Sequence, residues 1–198
     1  MQAKLAEISE DLSDEAKASA AAKVNLWAAK EKLEDIEDMI YELRNRRVAP
    51  KATPMKVLQA VVYIAGHKHS ELVDPYARKK NQVAWKKMRR VFDSKLYRKL
   101  RDFDAEASPD NGKHGEEPYL SGLVEGLVVE DLRKSSVAVA VLLEWLQAAL
   151  AARRAVAAEA AARAEAEAAA REAAEAEEAA RLAAEAEAEA AGDGEDAA

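Results

Sequence analysis

The side chains most often recruited for catalysis or metal binding are scarce and awkwardly spaced in this chain of 198 residues. There is no cysteine, which removes disulfides, thiolate metal sites and cysteine nucleophiles and makes a reducing compartment the natural expectation. His67 and His69 bracket Lys68 and offer two imidazoles. No third ligand follows at a spacing a metal site would use, so a surface loop is the simpler reading. Asp102, Asp104 and Glu106 begin like a calcium loop, but that pattern needs glycine at its sixth position and glutamate at its twelfth, where Ala107 and Lys113 stand. There is no glycine-rich phosphate loop and no serine in a glycine-bracketed elbow. Nor does any histidine have both a carboxylate and a nucleophile at recognisable spacing. The expectation is a protein that is not an enzyme, with no catalytic residues, no cofactor and no metal.

What chemistry remains is electrostatic. The formal net charge of −7 conceals a strong polarity along the chain. Residues 78–101 hold eleven Lys or Arg (Arg78, Lys79, Lys80, Lys86, Lys87, Arg89, Arg90, Lys95, Arg98, Lys99 and Arg101) against the single acid Asp93. From Glu159 onward there are thirteen acids against Arg163, Arg171 and Arg181. A concentrated positive face implies an acidic partner: a nucleic-acid backbone, an anionic membrane or an acidic protein lattice such as tubulin. Nucleic acid is disfavoured, because Trp85, Phe92, Tyr97 and Phe103 fall on apolar stripes rather than among the exposed cations, and the acidic tail would repel phosphate. A membrane surface is disfavoured for want of a wedge of exposed Leu, Phe or Trp. The N-terminal MQAKLAEISEDLSDE mixes acids into its first turns and has no apolar run, unlike a secretory signal. The longest apolar stretch, Val137 to Leu143, is far below the ~20 residues a bilayer needs, so a soluble cytoplasmic protein is expected.

The elements that must position this charge are helical. Leu5, Leu12, Ser19, Leu26, Leu33 and Ile40 recur at one seam position, and Ile8, Glu15, Ala22, Ala29, Ile36 and Leu43 at the other. An unbroken heptad register predicts a coiled-coil helix over 1–48, weakened in its middle by Glu15 and Ser19. The expected seam is Leu5, Ile8, Leu12, Leu26, Leu33, Ile36, Ile40 and Leu43. Pro50 and Pro54 stop that helix, and a short one starts at Pro54 with Val57, Ala60, Val61 and Ile64 on one face and Gly66 as its stop. Residues 67–81 read as loop. From Gln82, Trp85, Met88 and Phe92 give helical spacing, and Asp93-Ser94 can cap a further helix carrying Leu96, Leu100 and Phe103. Ser108-Pro109-Asp110-Asn111-Gly112 is a turn. Pro118 opens a helix with Leu120, Leu123, Val124 and Leu127, and the last helix begins near Asp131 and meets no proline or glycine until Gly192.

The predicted fold class is therefore all-α: a small helical-cluster head at the tip of a long antiparallel coiled coil, with an Ala/Glu-rich C-terminal helix. The domains are an N-terminal arm (1–48), a helical head (49–140), a returning arm (141–191) and a disordered acidic tail (192–198). Beyond Val156 the only large apolar residue is Leu182, so the far half of the returning arm reads equally as paired or as a free, solvated helix.

From about Leu43 to Ala155 the order of signals resembles the microtubule-binding domain of dynein heavy chains with its adjoining stalk. A heptad helix and a proline break precede Val57-Leu58-Gln59-Ala60-Val61 and Trp85-Lys86-Lys87-Met88. Leu100 with Phe103-Asp104 follows, then Ser136, nine residues before Trp145, and Ala148. The resemblance implies a globular cluster of helices at the tip of an antiparallel coiled coil. It also implies tubulin contacts from the first, third and last short helices, here Lys51 or Lys56, then Lys95, Arg98 and Lys99, then Lys134. Lys86 and Arg90 on the basic face are further candidates. Met55 and Val137 stand where the family pattern has basic residues. No ring of nucleotide-hydrolysing modules accompanies the head, so the resemblance implies a static part and not a motor. The expected role is a structural subunit of a microtubule-based assembly, a ciliary or flagellar axoneme and its central-pair apparatus foremost, with coiled-coil axonemal subunits as partners; the alternative is a module that binds tubulin directly, and the second alternative is a nucleic-acid-binding helical protein.

Overall fold

A computed structural model describes residues 13–74, 82–107 and 112–192, with side chains described to Leu182. The protein is all-α. Among the described residues there is no strand, and a lone antiparallel bridge joins Val73 to Val83. Residues Met1–Ala157 and Ala158–Ala198 form separate compact units.

In the first unit, α1 (Asp14–Glu34) starts where Ser13 Oγ accepts from the Ala16 amide at 3.2 Å, with Asp14 and Glu15 placed to favour the positive end of the helix dipole. Its buried stripe is Ser19, Leu26, Ala29 and Leu33. The expected single helix through residue 48 is instead broken. α1 stops at Glu34, Ile36 adopts φ −117° and ψ 10°, and α2 (Glu37–Asn45) follows. The break lets α2 turn onto the 3₁₀ turn Arg89–Val91 and the helix Ser94–Arg101 of the head. Ile36, Ile40 and Leu43 stay buried across it, so the seven-residue stripe survives a kink that the heptad count does not foresee. Leu5, Ile8 and Leu12 lie outside the described residues.

α3 (Ala52–Ile64) is the hub, with Val57, Leu58 and all of Ala60–Ile64 buried. It begins two residues before the expected Pro54. A first-turn proline forfeits no intrahelical bond, and Met55 N already reaches Lys51 O at 3.0 Å. Gly66, at φ +89°, ends it: His67 N folds back to Val62 O at 3.2 Å, a left-handed closure that glycine adopts without steric cost. The expected loop 67–81 contains a helical turn, α4 (His69–Leu72), while residues 75–81 lie outside the described ones. The helix expected from Gln82 to Phe92 is shorter: α5 (Trp85–Met88) tightens into the 3₁₀ turn Arg89–Val91. As expected, Asp93 caps α6 (Ser94–Arg101), its Oδ1 accepting from Lys95 N at 2.9 Å and Leu96 N at 3.0 Å.

Of the turn expected at 108–112, only Gly112 is described; it has φ +64° and opens a 3₁₀ turn, Gly112–His114. α7 (Glu117–Val124) packs on α3 through buried Leu120 and Val124. The last helix does not begin near Asp131. α8 (Val129–Arg133) is separate, and Ser136 interposes a cap, its Oγ accepting from Val139 N at 3.4 Å, before α9 (Val137–Gly192). The first turns of α9 are buried almost all round, from Ala138 to Leu146, and then on a narrowing stripe, Ala149, Leu150 and Ala152. Lys32 of α1 pairs with Glu144 at 2.6 Å, Lys30 donates to Phe103 O at 2.6 Å, and Lys23 pairs with Glu106 at 2.8 Å. Phe103 lies edge-on to Trp145 at 5.5 Å and under the Arg153 guanidinium at 4.8 Å. The segment 103–107 is thus held by lysines of α1 on one side and by Trp145 and Arg153 of α9 on the other.

In the second unit every residue from Arg163 to Leu182 is exposed. Alanine propensity and the i,i+4 pairs Arg163–Glu167 (3.1 Å) and Arg171–Glu175 (2.9 Å) support this stretch as helix.

Candidate partner-binding surface

The basic residues of the head alternate with the side chains that anchor it. Trp85, Met88, Phe92, Leu96 and Leu100 are buried, which turns Lys86, Arg90, Lys95, Arg98 and Lys99 outward, all of them exposed. Lys51 and Lys56, in and before the first turn of α3, are exposed too. Among the described residues none of these seven is ion-paired with a carboxylate. The eighth candidate, Lys134, pairs with Asp131 at 3.0 Å. Asp93, the lone acid of the segment, is committed to capping α6.

Other cations of the same run are structural. The half-buried Lys87 donates to Val73 O at 2.7 Å. Arg89 donates to Arg44 O at 2.7 Å, and the Trp85 indole to Arg46 O at 2.9 Å, supplying donors to carbonyls at the end of α2 that have no partner within the helix. Lys99 serves both roles: exposed, it also donates to Ala65 O at 3.1 Å, where a cation favours the negative end of α3.

The candidates do not form one patch. Lys95, Arg98 and Lys99 share one helical turn, and Lys99 sits at the C-terminal end of α3. Lys51 and Lys56 lie at its other end, and a 13-residue helix separates them by about 20 Å. Lys134 follows α8. Arg78, Lys79 and Lys80 lie outside the described residues. Where the family pattern has basic residues, Met55 is half-buried and Val137 is exposed. Val137 lines a groove of about 410 Å³ with Met39, Leu43 and Ala138, between Glu42 and Arg46.

The acidic trio that resembles a calcium loop disperses into separate tasks: Asp102 meets Arg101, Asp104 accepts from the Glu106 amide, and Glu106 holds Lys23. His67 faces Glu71 at 3.5 Å, whereas His69 accepts or donates at Tyr63 Oη, 2.6 Å away. Two features escape sequence reasoning. Trp27 is 50% exposed on α1, off the buried stripe of Leu26 and Leu33 and beside exposed Val24. His114 joins His69 across the fold.

No known family profile, curated protein or solved structure matches this chain. What the surface can do is therefore argued from its own geometry: exposed, mutually repelling cations fixed on short helices attract anionic surfaces and lose that attraction in salt. Among the described residues no helix is long and apolar enough to cross a membrane.

Proposed function

We propose that this chain is a non-enzymatic structural subunit of a microtubule-based assembly, the ciliary axoneme being the setting to which the dynein-like order of its head helices points. It docks through the helical head and through a stalk, the antiparallel coiled coil of α1 and α2 with the first turns of α9. Two things support the stalk: burial repeats at Ser19, Leu26, Leu33 and Ile40, and Lys32 spans to Glu144. The observation that carries the docking role is the set of exposed cations on α5 and α6 with no carboxylate partner among the described residues, an arrangement that repels itself until an acidic partner neutralises it.

A second reading draws on the same cations: α6 grips the acidic surface of tubulin directly. Rebinding to salt-stripped axonemes and co-sedimentation with bare, taxol-stabilised microtubules separate the two. Retention on axonemes without pelleting on bare microtubules at tens of micromolar supports the scaffold. Salt-sensitive pelleting that is lost in the Lys95→Glu, Arg98→Glu, Lys99→Glu variant supports the second reading. Failure to bind either contradicts both.

A further inference from the structure

All three histidines of the chain lie at one end of α3. Four rings from four elements meet there: Tyr63 from the last turn of α3, His69 from α4, His114 from the 3₁₀ turn Gly112–His114, and Tyr119 from α7. The His69 and His114 imidazoles are stacked, 4.3 Å between centroids and 6° from parallel. Tyr119 meets His114 edge-on at 4.8 Å and Tyr63 at 6.0 Å.

A metal does not account for this arrangement. Imidazole lone pairs lie in the ring plane, so parallel rings aim them past each other, and Tyr63 Oη occupies Nδ1 of His69. The stacking places the two rings where a pair of positive charges would repel each other. With both rings uncharged, the Tyr63 hydroxyl donates to Nδ1 and the rings stack face to face; with both protonated, two cations would share one stack. Burial, first, and then the neighbouring His69 and Lys113 hold His114 below the usual imidazole range. Among the described residues the groups facing the pair are the phenols of Tyr63 and Tyr119 and the ammonium of Lys113. Glu71 of α4, Lys99 of α6 and its cap Asp93 act on His67. Among the described residues no carboxylate pairs with His69 or His114.

We propose that the His69–His114 stack is a proton-released latch: neutral, it holds α4 and the segment 112–124 on the end of α3, and protonation parts the rings and frees that segment while the rest of the head stays folded. The sign follows from linkage. A histidine held below its ordinary value in the closed form binds protons more readily once open, so the closed form is lost as pH falls from about 6.5 through the depressed value. Burial holds His67, the remaining histidine, below the usual imidazole range as well, but it lies outside the stack, so His114→Phe separates its effect from that of the pair.

Hydrogen exchange on the full chain at pH 7.5 and 5.0, corrected for intrinsic rates, tests this. Amides of α7 are expected to lose about tenfold or more of their protection at the lower pH, while those of α3 and of residues 137–152 keep theirs. His114→Phe stacks without ever carrying charge and is expected to keep α7 protected at pH 5.0. Equal protection of α7 at both pH values in the native chain, or the same acid loss in His114→Phe, overturns the latch. Should that variant not fold at pH 7.5, an imidazole NMR titration of the native chain decides. Coupled, two-step protonation of His69 and His114 upholds the latch; two independent single-site curves overturn it.

Discussion

One substitution made twice in α1 and its cap should change stability in opposite directions. Ser19 is 1% exposed and its hydroxyl has no hydrogen-bond partner among the described residues, whereas the exposed Ser13 hydroxyl caps the helix by accepting from Ala16 N. Ser19→Ala removes a buried, unpaired polar group whose desolvation costs about 1–3 kcal/mol. It also gains about 0.5 kcal/mol of helix propensity. Opposing this is the dispersion attraction of the one heavy atom removed, a few tenths of a kcal/mol at about 0.1–0.2 per atom pair. The expected net gain is about 1 kcal/mol, or a rise in Tm of about 2–4 °C for a unit of this size. Ser13→Ala deletes the cap and should cost about 1 kcal/mol. Urea denaturation followed by circular dichroism reads both, with an unchanged denaturant slope showing that only stability has moved. If Ser19→Ala destabilises as Ser13→Ala does, the hydroxyl has a partner and the buried stripe of α1 is wrongly placed.

Other outcomes follow from single side chains. Leu33→Ala, at a side chain with no exposure, should cost about 2–5 kcal/mol in the same denaturation experiment, since it removes buried methyl groups and leaves a void. The Glu117 carboxyl is held below the usual carboxylate range by the Ser121 hydroxyl and then by Arg154. It therefore contributes stability above the unfolded value of about 4.3 that is lost as pH falls through the depressed one, and Glu117→Gln should flatten thermal melts across that acid window while changing little at pH 7. Reversing Lys95, Arg98 and Lys99 together should lower the melting temperature by a few degrees at most, the loss coming from the Lys99 ammonium at Ala65 O, since none is ion-paired within the head among the described residues, yet abolish salt-sensitive binding.

What could be read in the sequence was whatever local chemistry decides. Asp93 caps α6, Gly66 ends α3 and the head cations face outward because their helical phase relative to Trp85, Met88 and Leu96 is a property of short windows. The misses are tertiary. The kink at Asp35-Ile36 exists because α2 has to reach the 89–91 turn, and nothing in the heptads records that reach. Ser136 looks like any polar residue in a helical run until α8 and α9 are seen to part there. Lys87 and Arg89 count in the sequence only as members of the basic run 78–101, but they are spent on carbonyls of distant segments. His114 sits in a turn segment and meets His69 only through the packing of α7 on α3. Trp27 gave a signal that could have been used: a large aromatic off the seam of an alanine-rich helix.

Docking by head and stalk requires that α1 double back along the first turns of α9 within one molecule, and a distance between two spin labels tests this most directly. The chain has no cysteine, so Asn25→Cys and Gln147→Cys, both at exposed positions, label cleanly. Helices in contact lie about 8–10 Å apart between axes, so with the label arms added the pair should give a single narrow distribution under about 30 Å, unchanged when labelled protein is diluted with unlabelled. A broad distribution centred well beyond that, or a short distance that vanishes on dilution, would show that α1 finds its mate elsewhere.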